Sequence, residues 1–483
     1  MKNKILSATL SGLLLVGVSG CSDFSDFGDT NLNPAATTNP NIGALLTNVE
    51  AGIAGYATQT RGGLYAQYFS ETQYTDVSLY SIPQVAFVGE YTGSLYDLEN
   101  IIIQDQSRNM SAIAKILKQY IFWTITDRWG DVPYSEALKG VEFPTPKYDR
   151  QEEIYKGIIQ GLKEAVTEFD NSPITGDVIF GGNIDLWKRT ANSIRLLAAI
   201  QLSKKFPSPT GYAATEFKAA LNDPAGYITT NAQNFAVSYP GGNFNSNWWN
   251  LYNGRKDFAE SETMTTLLGS LADTRQSVFG GATELEGQPN SNATSNIGMP
   301  YGLRRASAEA FTADNPTWAR ILRGDKRTNN GTVHIITASQ VALARAEAAD
   351  YGWTTENLQT VYRQGITLSF EQWGLSAPAN SYFTQNNVAL AAAAGTGANI
   401  RNISVQRFIA TYPNGLQGWN IWRKTGFPVL TPAPDATNTS KQIPRRYVYD
   451  PNTEYSSNKA SVEAAAALIP GGDTQDSRVW WDQ

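Results

Sequence analysis

One cysteine in 483 residues, Cys21, constrains this chain more than any other single feature. Without a second thiol no intramolecular disulfide can form, so the fold must rest on a packed apolar core. Cys21 also closes an N-terminal segment of distinctive make-up. Lys2 and Lys4 give a short positive region, and Ile5 to Val18 is an apolar run. That run is shorter than the roughly 20 residues a membrane-spanning helix needs, so residues 1–20 read as a signal peptide.

The leader ends in Val18-Ser19-Gly20-Cys21, small residues ahead of a cysteine, which resembles the bacterial lipoprotein cleavage box rather than an A-x-A site. Cys21 is then expected to become the lipidated first residue; a simply secreted protein is the alternative. Each buried acyl methylene contributes about 0.8 kcal/mol, and two or three chains on one cysteine hold a protein on a membrane without a spanning helix. No later stretch approaches 18 consecutive apolar residues without a charge, so membrane contact is expected through the lipid anchor only. Residues 21–40, rich in turn formers with several Asp and Pro, read as a tether. Acidic residues just after the cysteine resemble the signal that sends some lipoproteins to the outer face of the outer membrane.

From residue 41 onward helical periodicity dominates. Gln151 to Phe169 puts Ile154, Tyr155, Ile158, Leu162, Ala165, Val166 and Phe169 on one face, and Ser111 to Thr126 repeats the pattern. Ala191 to Lys205 is apolar around most of its circumference, as a helix buried among neighbours would be. Thr337 to Tyr351 and Thr355 to Trp373 read as an αα-hairpin, with Gly352 in the left-handed position that ends the first helix and Thr354 as a candidate cap for the second. No clean 34-residue repeat is present, so periodicity alone does not establish a solenoid. Residues 231–340 differ, with Gly, Asn, Ser and Pro clusters such as SYPGGNFNSNWWNLYNG, and long irregular segments of this kind are commonly functional. The expectation is a mostly α single domain over 41–483 with little β: N-terminal helix pairs over 41–230, a loop-rich ligand region over 231–340, and C-terminal helices and loops over 341–483.

Charged residues form 17% of the chain and aromatics 11%, with a formal net charge of −6. There is no basic groove for nucleic acid and no polybasic patch for anionic lipid. A weakly charged surface with many amides, hydroxyls and rings suits neutral polar ligands. Catalytic chemistry is poorly supplied. His334 is the only histidine, so no two-histidine metal site can be built, and its Thr-Val-His-Ile-Ile setting reads as a strand or core segment. There is no G-x-S-x-G, no phosphate loop, and Asp23, Asp26 and Asp29 do not match an EF-hand; neither cofactor nor metal is expected. One enzymatic alternative survives, an α-helical glycosidase with two facing carboxylates among Asp257, Glu260, Glu262, Glu284 and Glu286.

Five segments carry a family resemblance: GDVPYSEAL at 130–138, RTANSIRLLAAIQLSK at 189–204, GLQGWNIWRKTGFPVL at 415–430, IPRRYVYDPNTEYSSN at 443–458 and RVWWD at 478–482. With NLNP at 31–34 and the lipoprotein box, they resemble the SusD/RagB family, and more closely its SusD-like branch of Bacteroidetes outer-membrane lipoproteins. That resemblance implies a helical body with tetratricopeptide-like helix pairs. It implies a nonenzymatic, outward-facing lid over a SusC-like TonB-dependent transporter barrel. The implied cargo is oligosaccharide, or oligopeptide in RagB-type members.

The family's ligand patch draws on N-terminal and central loops, which three groups here match in position. They are Tyr74, Asp76 and Tyr80; Trp248, Trp249 and Tyr252; and Tyr301, Trp318 and Arg320. Asp76, Asn250 and Arg320 would supply hydrogen bonds beside the rings. Adjacent Trp248 and Trp249 cannot both point into one core from an extended chain, so at least one is expected at the surface. Trp419, Trp422, Trp480 and Trp481 lie inside the recurring segments and are expected to pack, and Arg445 and Arg446 to pair within the fold.

Overall fold

The structure, a computed structural model, describes residues 40–282, 291–391, 393 and 395–483. The expectations for the signal peptide, for Cys21 and the tether as far as residue 39, and for Glu284 and Glu286 lie outside these residues. Helix Arg108–Trp129 contains the predicted Ser111–Thr126 and gains residues at both ends. Ser107 caps it, accepting from the Met110 N–H, and Gly130 ends it at φ +87°, a left-handed conformation that costs glycine little. It packs against helices Ser94–Gln104 and Gln151–Glu168. Helix Ile184–Gln201 touches Arg108–Trp129, Gln151–Glu168, Tyr212–Leu221 and Ala338–Asp350, which accounts for its all-round apolar sequence.

The helical pair read from residues 337–373 is present as Ala338–Asp350 and Leu358–Gln372. Thr337 and Gln340 form a reciprocal capping box at the start, and Gly352 takes φ +70° after the first helix. The second cap is a correction: Asn357, not Thr354, accepts from the Thr360 N–H, so the helix begins later than expected. Asn ranks above Thr as a cap, and Asn357 sits directly before the first apolar residue of the helix. Gly365 brings the two helices close, since a Cβ there would lie 2.7 Å from Leu343 Cγ. An even closer approach joins helix Thr60–Tyr65 to the start of helix Gly415–Thr425, where a Cβ on Gly415 would stand 2.0 Å from the Gly63 backbone nitrogen.

Residues Ile42–Gln483 form one compact unit with a continuous apolar core. Ions are buried inside it as paired sets. Fully buried Glu347 bonds Arg407 and Lys424, linking helices Ala338–Asp350, Ile400–Thr411 and Gly415–Thr425. Burial alone would raise the Glu347 carboxyl, but the two cations hold it below the usual carboxylate range. Asp127 accepts from Trp481 Nε1 (3.0 Å) and Asn420 Nδ2 (2.5 Å), and the Arg423 guanidinium lies 3.5 Å from the Trp419 ring centroid and 4.7 Å from that of Trp481. The recurring tryptophans therefore pack, and Arg445 and Arg446 pair with Asp482 and Asp473.

Strand is confined to short antiparallel pairs. Phe69–Glu71 pairs with Phe258–Glu260 in the register Phe69↔Glu260 to Glu71↔Phe258. Phe235–Ser238 pairs with Thr332–Ile336, which contains His334. His334 is packed edge-on to Trp373, and burial lowers its pKa to about 4, so it is a neutral core residue at physiological pH. Among the described residues no helix is long and apolar enough to cross a membrane, and no cluster of three or more His, Cys, Asp or Glu is arranged to hold a metal.

Candidate functional site

The pairing of Phe69–Glu71 with Phe258–Glu260 sets the loop after the first strand against the segment before the second. Between them lies a cleft of about 290 Å³ lined by Glu71, Tyr74, Asn250, Leu251, Arg255, Asp257 and Phe258. The loop is held from below. The Glu71 carboxylate accepts from the Ser78 N–H (2.8 Å) and hydroxyl (2.7 Å), and the Thr72 N–H donates to the Asp257 carbonyl at 2.9 Å. Burial pushes the Glu71 pKa up to about 7, although the two Ser78 bonds pull it down. On the opposite wall Arg255 Nε donates to Asp257 Oδ2 at 2.6 Å, and Gln73 Nε2 bonds the other oxygen.

Tyr74, one of two rings lining this cleft with Phe258, is 53% exposed, an open ring on a tethered loop. The Arg305 guanidinium sits 5.4 Å from its centroid and is itself oriented by Glu309 at 2.8 Å. Cation and ring attract one another, which steadies a side chain that would otherwise swing freely. A flat apolar ring beside an amide, a guanidinium and carboxylates is equipped for a ligand with C–H faces and hydroxyl edges.

The structure places Tyr74 from the first predicted group on the same cleft as Asn250 beside the second. Asp76 is exposed on the same loop, where its carbonyl accepts from the Ser81 N–H and hydroxyl. The remaining predictions are largely corrected. Tyr80, Trp248, Tyr252, Tyr301, Trp318 and Arg320 are buried, not surface groups. The Tyr80 hydroxyl accepts from the Ala433 N–H, and that of Tyr252 bridges the Phe258 carbonyl and the Ile321 N–H. Trp318 is 2% exposed, and the Arg320 guanidinium lies 3.7 Å from its ring centroid while donating to the carbonyls of Trp318, Pro316 and Ala282. These rings stand in short turns and one helical turn whose polar sequence suggests exposure, yet all of them pack into the apolar core.

The adjacent tryptophans do part company, because Asn247–Asn250 is a single helical turn: Trp248 packs on Phe69, and Trp249 is half-buried outside the cleft lining. Sequence reasoning missed Glu71, Arg255, Phe258 and Arg305. The Asn253-Gly254 turn flanking Arg255 was a usable signal; nothing local marked Arg305. Of the candidate glycosidase acids, Glu260 is fully buried with its pKa raised to about 8 by desolvation, Asp257 is engaged by Arg255 and Gln73, and Glu262 is exposed.

A family profile of the SusD-like type, described as starch-binding and associating with the outer membrane, matches residues 34–450. No curated protein sequence matches the chain. Among solved structures, a SusD homologue from Bacteroides uniformis has a TM-score of 0.77 at 24% identity, covering 92% of this chain and 99% of its own. A chitin-binding SusD homologue from Flavobacterium johnsoniae has a TM-score of 0.77 at 22% identity, over 92% and 98%. A chitin-binding protein gives 0.73 at 24%, over 92% and 100%. At these identities the likeness is one of fold.

Proposed function

Because the chain belongs to the SusD-like family, described as starch-binding and associating with the outer membrane, we propose that it is a nonenzymatic, outward-facing lipoprotein that captures oligosaccharides at the Tyr74 cleft. It hands them to a SusC-like TonB-dependent transporter barrel, over which it acts as a lid, and Cys21 is its lipid anchor. One observation carries the capture reading: Tyr74 is an exposed ring on a loop fixed by Glu71 and Ser78, directly beside Asn250, Arg255 and Asp257. Pyranose rings stack on such a face while their hydroxyls bond the neighbouring groups. The chitin-binding description of two similar structures agrees with a sugar ligand. The cleft's carboxyls, Glu71 on Ser78 and Asp257 on Arg255, are occupied in holding the walls, which favours binding over turnover.

Isothermal titration against starch-type and chitin-type oligosaccharides, acidic oligosaccharides and an oligopeptide pool, with product analysis, tests the reading. Heat from one glycan class without turnover is expected, and it should fall in Tyr74→Ala. Heat from peptides alone would replace it with a peptide-capturing lid, and released reducing ends would overturn the nonenzymatic claim.

A further inference from the structure

The Tyr74 cleft keeps its negative groups inside and its positive ones outside. Both lining carboxyls are buried and engaged, Glu71 by Ser78 and Asp257 by Arg255 and Gln73. Arg255, the cation of the lining, has a side chain that is 63% exposed, and it grips Asp257 from one side only, through Nε (2.6 Å) and Nη2 (2.5 Å). Its Nη1 meets no acceptor among the described residues, which leaves two N–H groups of the guanidinium for a ligand. Arg305 stands over the Tyr74 ring with 60% of its side chain exposed and bonds Glu309 through Nε alone. Lys256, next to Arg255, is exposed, and no carboxylate pairs with it among the described residues.

Negative charge is weak in the same place. Burial pushes the Glu71 pKa up to about 7, so at about pH 6 the carboxyl is mostly protonated and does not repel an anion in the cleft. Asp76, the exposed carboxylate of the Tyr74 loop, is not on the lining. A ligand therefore meets an open ring, the Asn250 amide and guanidinium N–H groups, but no carboxylate free to accept from it. It has to bring acceptors, and a planar carboxylate pairs with a guanidinium more strongly than a hydroxyl does. Starch-type and chitin-type chains bring only neutral groups. Given capture at the Tyr74 cleft, on which this rests, we propose that the cleft selects acidic oligosaccharides: a hexuronate ring covers Tyr74 while its carboxylate is bound by the Arg255 guanidinium, with Arg305 adding positive charge at the rim.

Isothermal titration of the detergent-purified full chain at about pH 6 tests this, with hexamers of galacturonic acid, mannuronic acid and hyaluronan set against maltohexaose and chitohexaose. At least one acidic hexamer should bind about tenfold or more tightly than either neutral one, and the margin should shrink as salt approaches about 1 M. Arg255→Gln should weaken acidic binding about tenfold and neutral binding much less, and Arg255→Lys, which keeps the charge without the fork, should restore only part of the margin. A disturbed fold would weaken all five sugars together, so the acidic-to-neutral ratio is the readout. Neutral hexamers binding as tightly as the acidic ones overturn the proposal, and so does an acidic margin that survives in Arg255→Gln; either result leaves capture at Tyr74 standing. Failure of the capture reading itself looks different: sugars of both kinds bind, and Tyr74→Ala changes none of them. No binding by any hexamer overturns both.

Discussion

Single side chains divide sharply here between exposed surface and core, although they are of the same chemical types. Tyr74→Ala is expected to weaken oligosaccharide binding about tenfold, from the lost stacking and covered area, with the melting temperature nearly unchanged; calorimetry reads both. Trp318→Ala should do the reverse, losing roughly 3–5 kcal/mol of stability in denaturant unfolding through the cavity it leaves and the unsupported Arg320 above it. Glu260 offers a cleaner test of electrostatics. Desolvation raises its pKa to about 8 against an ordinary value of 4.5, so the folded state keeps a proton that the unfolded chain has released. This stability is fully present below pH 4.5 and is lost as pH rises through about 8. Glu260→Gln cannot ionise, so its melting temperature relative to wild type should be higher at pH 8 than at pH 6. The opposite sign applies to His334, whose neutral form is favoured by burial: its contribution falls as pH drops from 6.5 to about 4.

Helices and their junctions were the most legible elements of the sequence. Apolar periodicity placed 111–126 and 151–169 within a turn of their ends, because a buried face imposes its spacing on the residues that fill it. Gly352 was readable because a helix end needs a left-handed residue, whereas the choice of Asn357 over Thr354 depends on where the helix starts, which either polar residue allowed. Close backbone contacts were not legible at all. Nothing around Gly415 announces that its partner is Gly63, more than 300 residues earlier, yet a methyl group on Gly415 would collide with the Gly62–Gly63 backbone. Gly415→Ala should therefore destabilise by at least about 3 kcal/mol, even though alanine is the better helix former by about 1 kcal/mol. Thr337→Ala, which opens the capping box, should cost about 1 kcal/mol in the same unfolding assay. The six buried site candidates failed for a related reason: their burial depends on partners distant in sequence, such as Ala433 for Tyr80 and Ile321 for Tyr252.

For the molecule as a whole, the SusD-like assignment was legible because its motifs are core motifs: Arg423 between Trp419 and Trp481 and the Asp127 hub tie distant segments into one body. The Tyr74 cleft was not legible, because its two walls, residues 71–74 and 250–258, meet only through a long-range strand pairing. If the lid reading is right, the protein extracted gently from membranes should co-purify with a β-barrel transporter, and a Cys21→Ala chain should appear in the soluble fraction; recovery of the lone chain from the membrane in both forms would count against it. One architectural detail bears on how such a protein is made. The segment from Gln67 to Val85 is fastened by partners far downstream: Gln67 to the Thr431 carbonyl, Leu79 to Thr437, Tyr80 to Ala433 and Gln475, Val85 to Val448. A chain emerging N-terminus first can tie this loop to itself through Glu71 and Ser78 and to the Phe258–Glu260 strand at mid-chain, but its fastenings to Thr431, Ala433, Thr437 and Val448 must wait for the last part of the chain. The last ties on this loop are thus completed only at the close of synthesis and export, and a chain truncated before Thr431 should hold the 67–85 segment less firmly however well its earlier helices have formed.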